Sequence, residues 1–228
     1  MSGDDKLRRI KAAIFDFDGL ILDTESAEFQ SWQEVFAEHG QTLELEFWAD
    51  VIGRPRSYFD MYAHFQQLTD SRVDIEQLRK DRRARVKELI LGQPILPGVR
   101  ECLSAARELG LRIGLASSSG REYVCGHLER LGLFHFFDAT KCFEDTPEHK
   151  PNPGPYRAVL EVLEVAPYEA VAFEDSPNGV ASAQAAGVFC IAVPNAVTNQ
   201  LPLHNADYQL TSLDAESLQE LLQRIERR

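Results

Sequence analysis

Nowhere among its 228 residues does the chain approach the roughly 18–20 uninterrupted apolar positions that a membrane helix needs. No membrane partner is expected. Met1 to Lys11 is polar and runs directly into an apolar segment, so no signal peptide is read there and a cytoplasmic location is expected. Positive charge is scarce: 24 Lys and Arg stand against 36 Asp and Glu, a formal charge of −12. That balance argues against nucleic acid as the main partner, because the phosphate backbone needs a basic surface. A small anion is not excluded, since a local pocket can be positive on an acidic protein. The four cysteines, Cys102, Cys125, Cys142 and Cys190, are scattered without a C-x-x-C pair. They fit neither a zinc site nor a compact disulfide framework and are read as reduced packing residues. No internal repeat and no low-complexity tract is present.

What is there is an ordinary globular composition, 44% hydrophobic and 26% charged, long enough to bury a real core. The chain opens on a buried strand, Ala12-Ala13-Ile14-Phe15. Helical periodicity follows over Ser26–His39, with Phe29, Trp32, Val35 and Phe36 on one face and Gly40 as the stop. Further helical signals cover Ser57–Leu68 and Ile75–Leu91. No strand is expected between Glu25 and Leu91, so this block reads as a helical insertion. The hinge Gln93-Pro94-Ile95-Leu96-Pro97-Gly98 ends it. Strands and helices then alternate. A helix turns Val99, Cys102, Leu103, Ala106 and Leu109 inward. Strands fall at Leu111–Ala116, Asp138–Cys142, Ala170–Phe173 and Val188–Val193, with helices around Val124–Leu131, Pro153–Val165 and Val180–Ala186. Such alternation predicts an α/β fold, a Rossmann-like parallel sheet with helices on both faces. The expected division is a discontinuous core, residues 1–23 and 95–228, carrying an inserted all-helical cap over 24–94.

The first strand ends in Asp16-Phe17-Asp18-Gly19. Two carboxylates two residues apart project to one side of a strand, at the end where open α/β sheets bind ligands. Their repulsion calls for a hard divalent cation with oxygen ligands. Three later segments bring polar groups to the same edge. Ser117 and Ser118 offer a hydroxyl and backbone N–H groups suited to phosphate oxygens. Lys150 supplies a positive charge before a helix. Glu174 and Asp175 add two carboxylates, with Ser176 and Asn178 as expected helix caps. Asp23 and Thr24 are read as capping the first helix of the insertion.

In this order and spacing the four blocks resemble the haloacid dehalogenase superfamily of phosphohydrolases. They are D-x-D-G-x-x-x-D-T-E from Asp16 to Glu25, the serine turn at Ser117, K-P-x-P from Lys150 to Pro153, and E-D-S-x-x-G from Glu174 to Gly179. The resemblance spans nearly the whole chain. The insertion after the first block resembles the helical-cap subgroup that includes β-phosphoglucomutase and sugar-phosphate phosphatases. It implies Asp16 as nucleophile, forming an aspartyl-phosphate, and Asp18 as general acid and then base. It also implies Mg²⁺ held by Asp16, the backbone carbonyl of Asp18 and Asp175, with Glu174 direct or one layer out. Ser117, Ser118 and Lys150 would hold the phosphoryl oxygens. The family's dehalogenases lack an aspartate at position 18, so its presence implies phosphoryl transfer.

The expectation is thus a Mg²⁺-dependent phosphatase of a small phosphate ester, monomeric or weakly dimeric. The alternative is a hexose-phosphate mutase. The mutase resemblance calls for a histidine five residues beyond Asp23, where this chain has Glu28, and that departure favours hydrolysis. A catalytically silent binding protein is disfavoured because Asp16, Asp18, Lys150 and Asp175 are all present. Among insertion residues, Glu28 and Arg56, the latter resembling a cap arginine of the mutase, are candidate substrate contacts. The basic run Arg79–Lys87 reads mostly as a solvated face.

Overall fold

The alternation of apolar runs and glycine-ended amphipathic segments builds one six-stranded sheet. The computed structural model describes residues 9–52, 59–69 and 73–227. The chain opens with strand β1 (Ala12–Phe15), followed by helices α1 (Thr24–Glu38), α2 (Leu45–Ile52), α3 (Met61–Leu68) and α4 (Ile75–Gly92). Then come α5 (Val99–Glu108), β2 (Arg112–Ala116), α6 (Arg121–Arg130), β3 (Ala139–Lys141) and α7 (Gly154–Leu163). The chain closes with β4 (Ala170–Glu174), α8 (Pro177–Ala185), β5 (Phe189–Ala192), β6 (Tyr208–Gln209) and α9 (Leu218–Glu226). No described helix is long and apolar enough to cross a membrane.

Every strand pairing is parallel, in the order β3-β2-β1-β4-β5-β6. The strands are continuously apolar because both faces are covered. Ala13 and Phe15 of β1 face one layer, with Leu103 of α5, Leu128 of α6 and Leu221 of α9. Ala12 and Ile14 face the other, with Val159 of α7 and Val180 of α8. Phe15 stacks on Phe173 at 4.8 Å between centroids, and each is fully buried. Burial of such a side chain contributes about 2–3 kcal/mol. The strand order reverses between β1 and β4, the switch point where open α/β sheets receive ligands.

Among the described residues, the segment between β1 and α5 holds helices and no strand apart from isolated bridges at Asp18, Leu22 and Ile95. It has its own apolar cluster, including Trp32, Phe36, Trp48 and Phe65. Asp23 caps α1 by accepting the Ser26 N–H at 2.9 Å, as the sequence suggests. Helix α2 is absent from the sequence-based expectation, as are β6 and α9. Leu109, expected to face inward, is instead 40% exposed, because it lies at the C-terminal cap of α5 rather than on its buried face. All four cysteines are free, and three are buried.

Candidate active site

Parallel pairing brings the C-terminal ends of β1, β2 and β4 to one edge, and the polar residues follow the strands there. Asp16 is the first residue beyond β1, and its N–H still donates to the Phe173 carbonyl of β4 at 3.1 Å. Glu174 is the last residue of β4 and Asp175 the next. Ser117 follows β2, its N–H bonded to Lys141 O of β3 at 2.9 Å. Lys150 lies in the loop before α7.

Asp16, Glu174 and Asp175 are all buried, and each offers an oxygen within 4.8 Å of the others. Lys150 Nζ sits 2.5 Å from Asp16 Oδ1 and 2.6 Å from Glu174 Oε1. Glu174 Oε1 also accepts the buried Tyr156 hydroxyl at 2.5 Å, while Oε2 is buried without a partner. One lysine thus touches two of the three clustered carboxylates. Burial, then the Asp16 charge, raises the pKa of both Glu174 and Asp175. Burial lowers that of Lys150, but Asp16 and Glu174 outweigh it and hold the ammonium charged. The excess negative charge, the all-oxygen donor set and the unpartnered Oε2 fit a hard divalent cation.

Two glycines are required by this crowding. A Cβ on Gly179 would lie 1.7 Å from Glu174 Oε2. One on Gly19 would lie 2.0 Å from Asp175 Oδ2, and Gly19 also adopts φ +76°.

Asp18 stands beside the cluster. Its Oδ2 accepts from Ser119 Oγ at 2.6 Å and more distantly from Ser117 Oγ at 3.5 Å, and Tyr123 OH reaches Oδ1 at 3.4 Å. Its pKa is pushed up to about 6, by burial first and the Asp16 charge second, with Ser119, Lys150 and Thr24 pulling the other way. Such a carboxyl gains and loses its proton around pH 6, close enough to neutrality to serve as a general acid and base.

With this geometry in view, the chain's kinship can be read. The haloacid dehalogenase-like hydrolase family pattern matches residues 13–193. The chain belongs to that family. It is 43% identical over 213 residues to the "Putative phosphatase YhcW" of Bacillus subtilis, covering 93% of this chain and 96% of that one. It is 34% identical over 222 residues to hexitol phosphatase B of Escherichia coli K12, covering 94% and 98%. Among solved structures it is similar to a "putative beta-phosphoglucomutase" from Thermotoga maritima, with TM-score 0.75, 25% identity and coverage of 94% and 99%. The α/β fold expected of a haloacid dehalogenase-like hydrolase is the fold observed, and the expected class, a phosphoric monoester hydrolase, agrees with the names of its relatives.

Of the residues singled out from sequence, Asp16, Asp18, Ser117, Lys150, Glu174 and Asp175 converge. Ser118 is exposed on the same turn. The serine whose hydroxyl lies closest to Asp18 is Ser119, next to the two named from sequence, while Ser117 Oγ accepts the Ser119 N–H at 3.0 Å. Glu28 is engaged by Arg82 at 2.5 Å. Arg82 also donates to Ser31 Oγ and Tyr62 OH, so this member of the basic run is an internal tie between α1, α3 and α4. Arg56 lies outside the described residues. Sequence reasoning missed Ser119, Tyr123, Tyr156 and Asn195. Tyr156 had a usable signal, a phenol on the buried face of α7 needing a polar partner. Asn195, past β5, had none: it donates to Asp175 Oδ2 at 2.9 Å and Gly19 O at 3.0 Å.

Proposed function

We propose that this protein is a Mg²⁺-dependent phosphatase of a small phosphorylated sugar or polyol, acting through an aspartyl-phosphate on Asp16. The observation that carries the reading is the placing of Asp16 against Lys150 and the carboxylate cluster, with Asp18 beside them at a pKa of about 6. Asp16 attacks phosphorus, and the leaving alkoxide takes the Asp18 proton. Asp18 then removes a proton from the water that attacks the acyl-phosphate, returning Asp16 and releasing phosphate. Lys150, the Ser117 hydroxyl and the Ser118 N–H hold the equatorial oxygens. Asp16, the Asp18 carbonyl and Asp175 would hold Mg²⁺, with Glu174 direct or one layer out. Bound there, the ion supplies the charge that lets an anionic nucleophile meet an anionic ester.

Residues 1–23 and 95–228 form the catalytic core in this reading, and 24–94 the cap that selects the substrate and excludes water. The hexitol phosphatase above and a relative named phosphorylated carbohydrates phosphatase, 31% identical over 180 residues, support the sugar or polyol class. Glu28, in place of the mutase's histidine and held by Arg82, supports transfer to water rather than back to sugar.

The test is Mg²⁺-dependent phosphate release across hexose, deoxyhexose, pentose, polyol and nucleoside phosphates, ranked by kcat/KM. Asp16→Asn should abolish turnover with unchanged circular dichroism; retained activity would sink the mechanism. Bisphosphate-primed conversion of β-glucose 1-phosphate to glucose 6-phosphate would favour the mutase.

A further inference from the structure

Asn195 uses its whole amide. Nδ2 donates to Asp175 Oδ2 and Gly19 O, at 2.9 and 3.0 Å, while Oδ1 accepts the N–H groups of Val197 and Thr198, at 3.0 and 2.9 Å. Two donors meet two acceptors and one acceptor meets two donors, so the amide's orientation is fixed and every site is filled. Its own N–H donates to Thr198 Oγ1 at 2.9 Å, closing the turn. Gly19 is bare against it: a Cβ there would stand 2.8 Å from Nδ2. The same turn packs against the helical insertion. Val197 is buried in the cluster of Trp32, Val35, Phe36, Trp48 and Phe65, and the turn Thr198–Gln200 packs on α2.

We propose that Asn195 is a positioning residue that aims Asp175 at the metal, and that its turn links that carboxylate to the packing of the helical insertion. This rests on the metal reading of the Asp16–Glu174–Asp175 cluster. A carboxylate pinned through one oxygen presents the other in a set direction, and loss of such an outer partner typically weakens metal affinity about 10- to 100-fold. Coupling between the site and the insertion is reciprocal, so filling one shifts the other.

The experiment is Mg²⁺ titration of the full chain by calorimetry and by tryptophan emission, since both tryptophans, Trp32 and Trp48, lie in the cluster that holds Val197. Wild type is expected to bind Mg²⁺ with a parallel change in emission. Asn195→Ala is expected to bind at least about tenfold more weakly. Asn195→Asp keeps the Oδ1 acceptor for the Val197 and Thr198 N–H groups and replaces both donors with a carboxylate oxygen, so it guards against simple misfolding of the turn. Charge counting predicts tighter binding for Asn195→Asp, whereas loss of aim predicts weaker. Val197→Ala should leave the Mg²⁺ affinity within about twofold and blunt the emission change. Unchanged or tighter binding by Asn195→Asp overturns the positioning role. Flat wild-type emission at saturating Mg²⁺ overturns the link to the insertion. No binding by wild type overturns the metal reading itself, and the proposal with it.

Discussion

Ser119 Oγ donates to Asp18 Oδ2 at 2.6 Å, the shortest of the three hydroxyl contacts around that carboxyl. The bond favours the ionised form, against burial and Asp16, which raise the pKa to about 6. In the proposed mechanism Asp18 must carry its proton to release an alkoxide, so this step should slow as pH rises through about 6. Ser119→Ala removes a lowering influence, and the alkaline limb of kcat/KM for a sugar phosphate should move to higher pH. With p-nitrophenyl phosphate, whose leaving group needs no proton, the limb from this step should vanish. An identical limb for both esters would remove Asp18 from the acid role.

Lys150 separates Asp16 from Glu174. Lys150→Met leaves two buried carboxylates facing each other without the cation. In EDTA the variant should lose about 3 kcal/mol in urea unfolding, and kcat/KM should fall about 100- to 1,000-fold. Full stability together with lost activity would mean that the ion pair contributes nothing to the metal-free fold.

Tyr156→Phe withdraws one of the two donors on Glu174 Oε1 and leaves the ring in place. A hydrogen bond to a charged acceptor is worth about 2 kcal/mol. Urea unfolding should report that loss. Activity should fall less than for Lys150→Met, because Tyr156 acts on Glu174 rather than on Asp16.

Two glycine-to-alanine changes should move stability in opposite directions. Gly126 lies exposed within α6 with open space around it, and alanine there should stabilise by about 0.5–1 kcal/mol. At Gly179 the new methyl meets Glu174 Oε2, and the melting temperature should drop by several degrees. Equal effects at the two positions would mean that the carboxylate can move aside.

Much of this site is legible in sequence because its parts are tied to strand ends. Asp16, Ser117 and Glu174 sit where an apolar run stops, and a parallel sheet carries all such stops to one edge. The first strand, the glycine-ended helices and the Asp23 cap are local signals of the same kind. Asn195 escapes because its role depends on a contact with Gly19, 176 positions earlier, which no local pattern encodes. Ser119 escapes for another reason: the turn geometry after β2, not the order of three serines, decides which hydroxyl meets Asp18. β6 has two residues, too few for a period, and α2 and the amphipathic α9 show that a pattern can be present and overlooked.

Leu22 pairs antiparallel with Ile95, and the Leu96 N–H reaches the Ile21 carbonyl at 3.0 Å. The two ends of the helical segment therefore leave and rejoin the sheet side by side. A chain whose ends already meet can lengthen or shorten between them at slight entropic cost. The β1–β2 register, set by Ala12 to Phe15 against Arg112 to Leu115, would not change. In the proposed reading, the substrate-selecting segment can therefore diverge between fixed ends, provided that it keeps a seat for Val197.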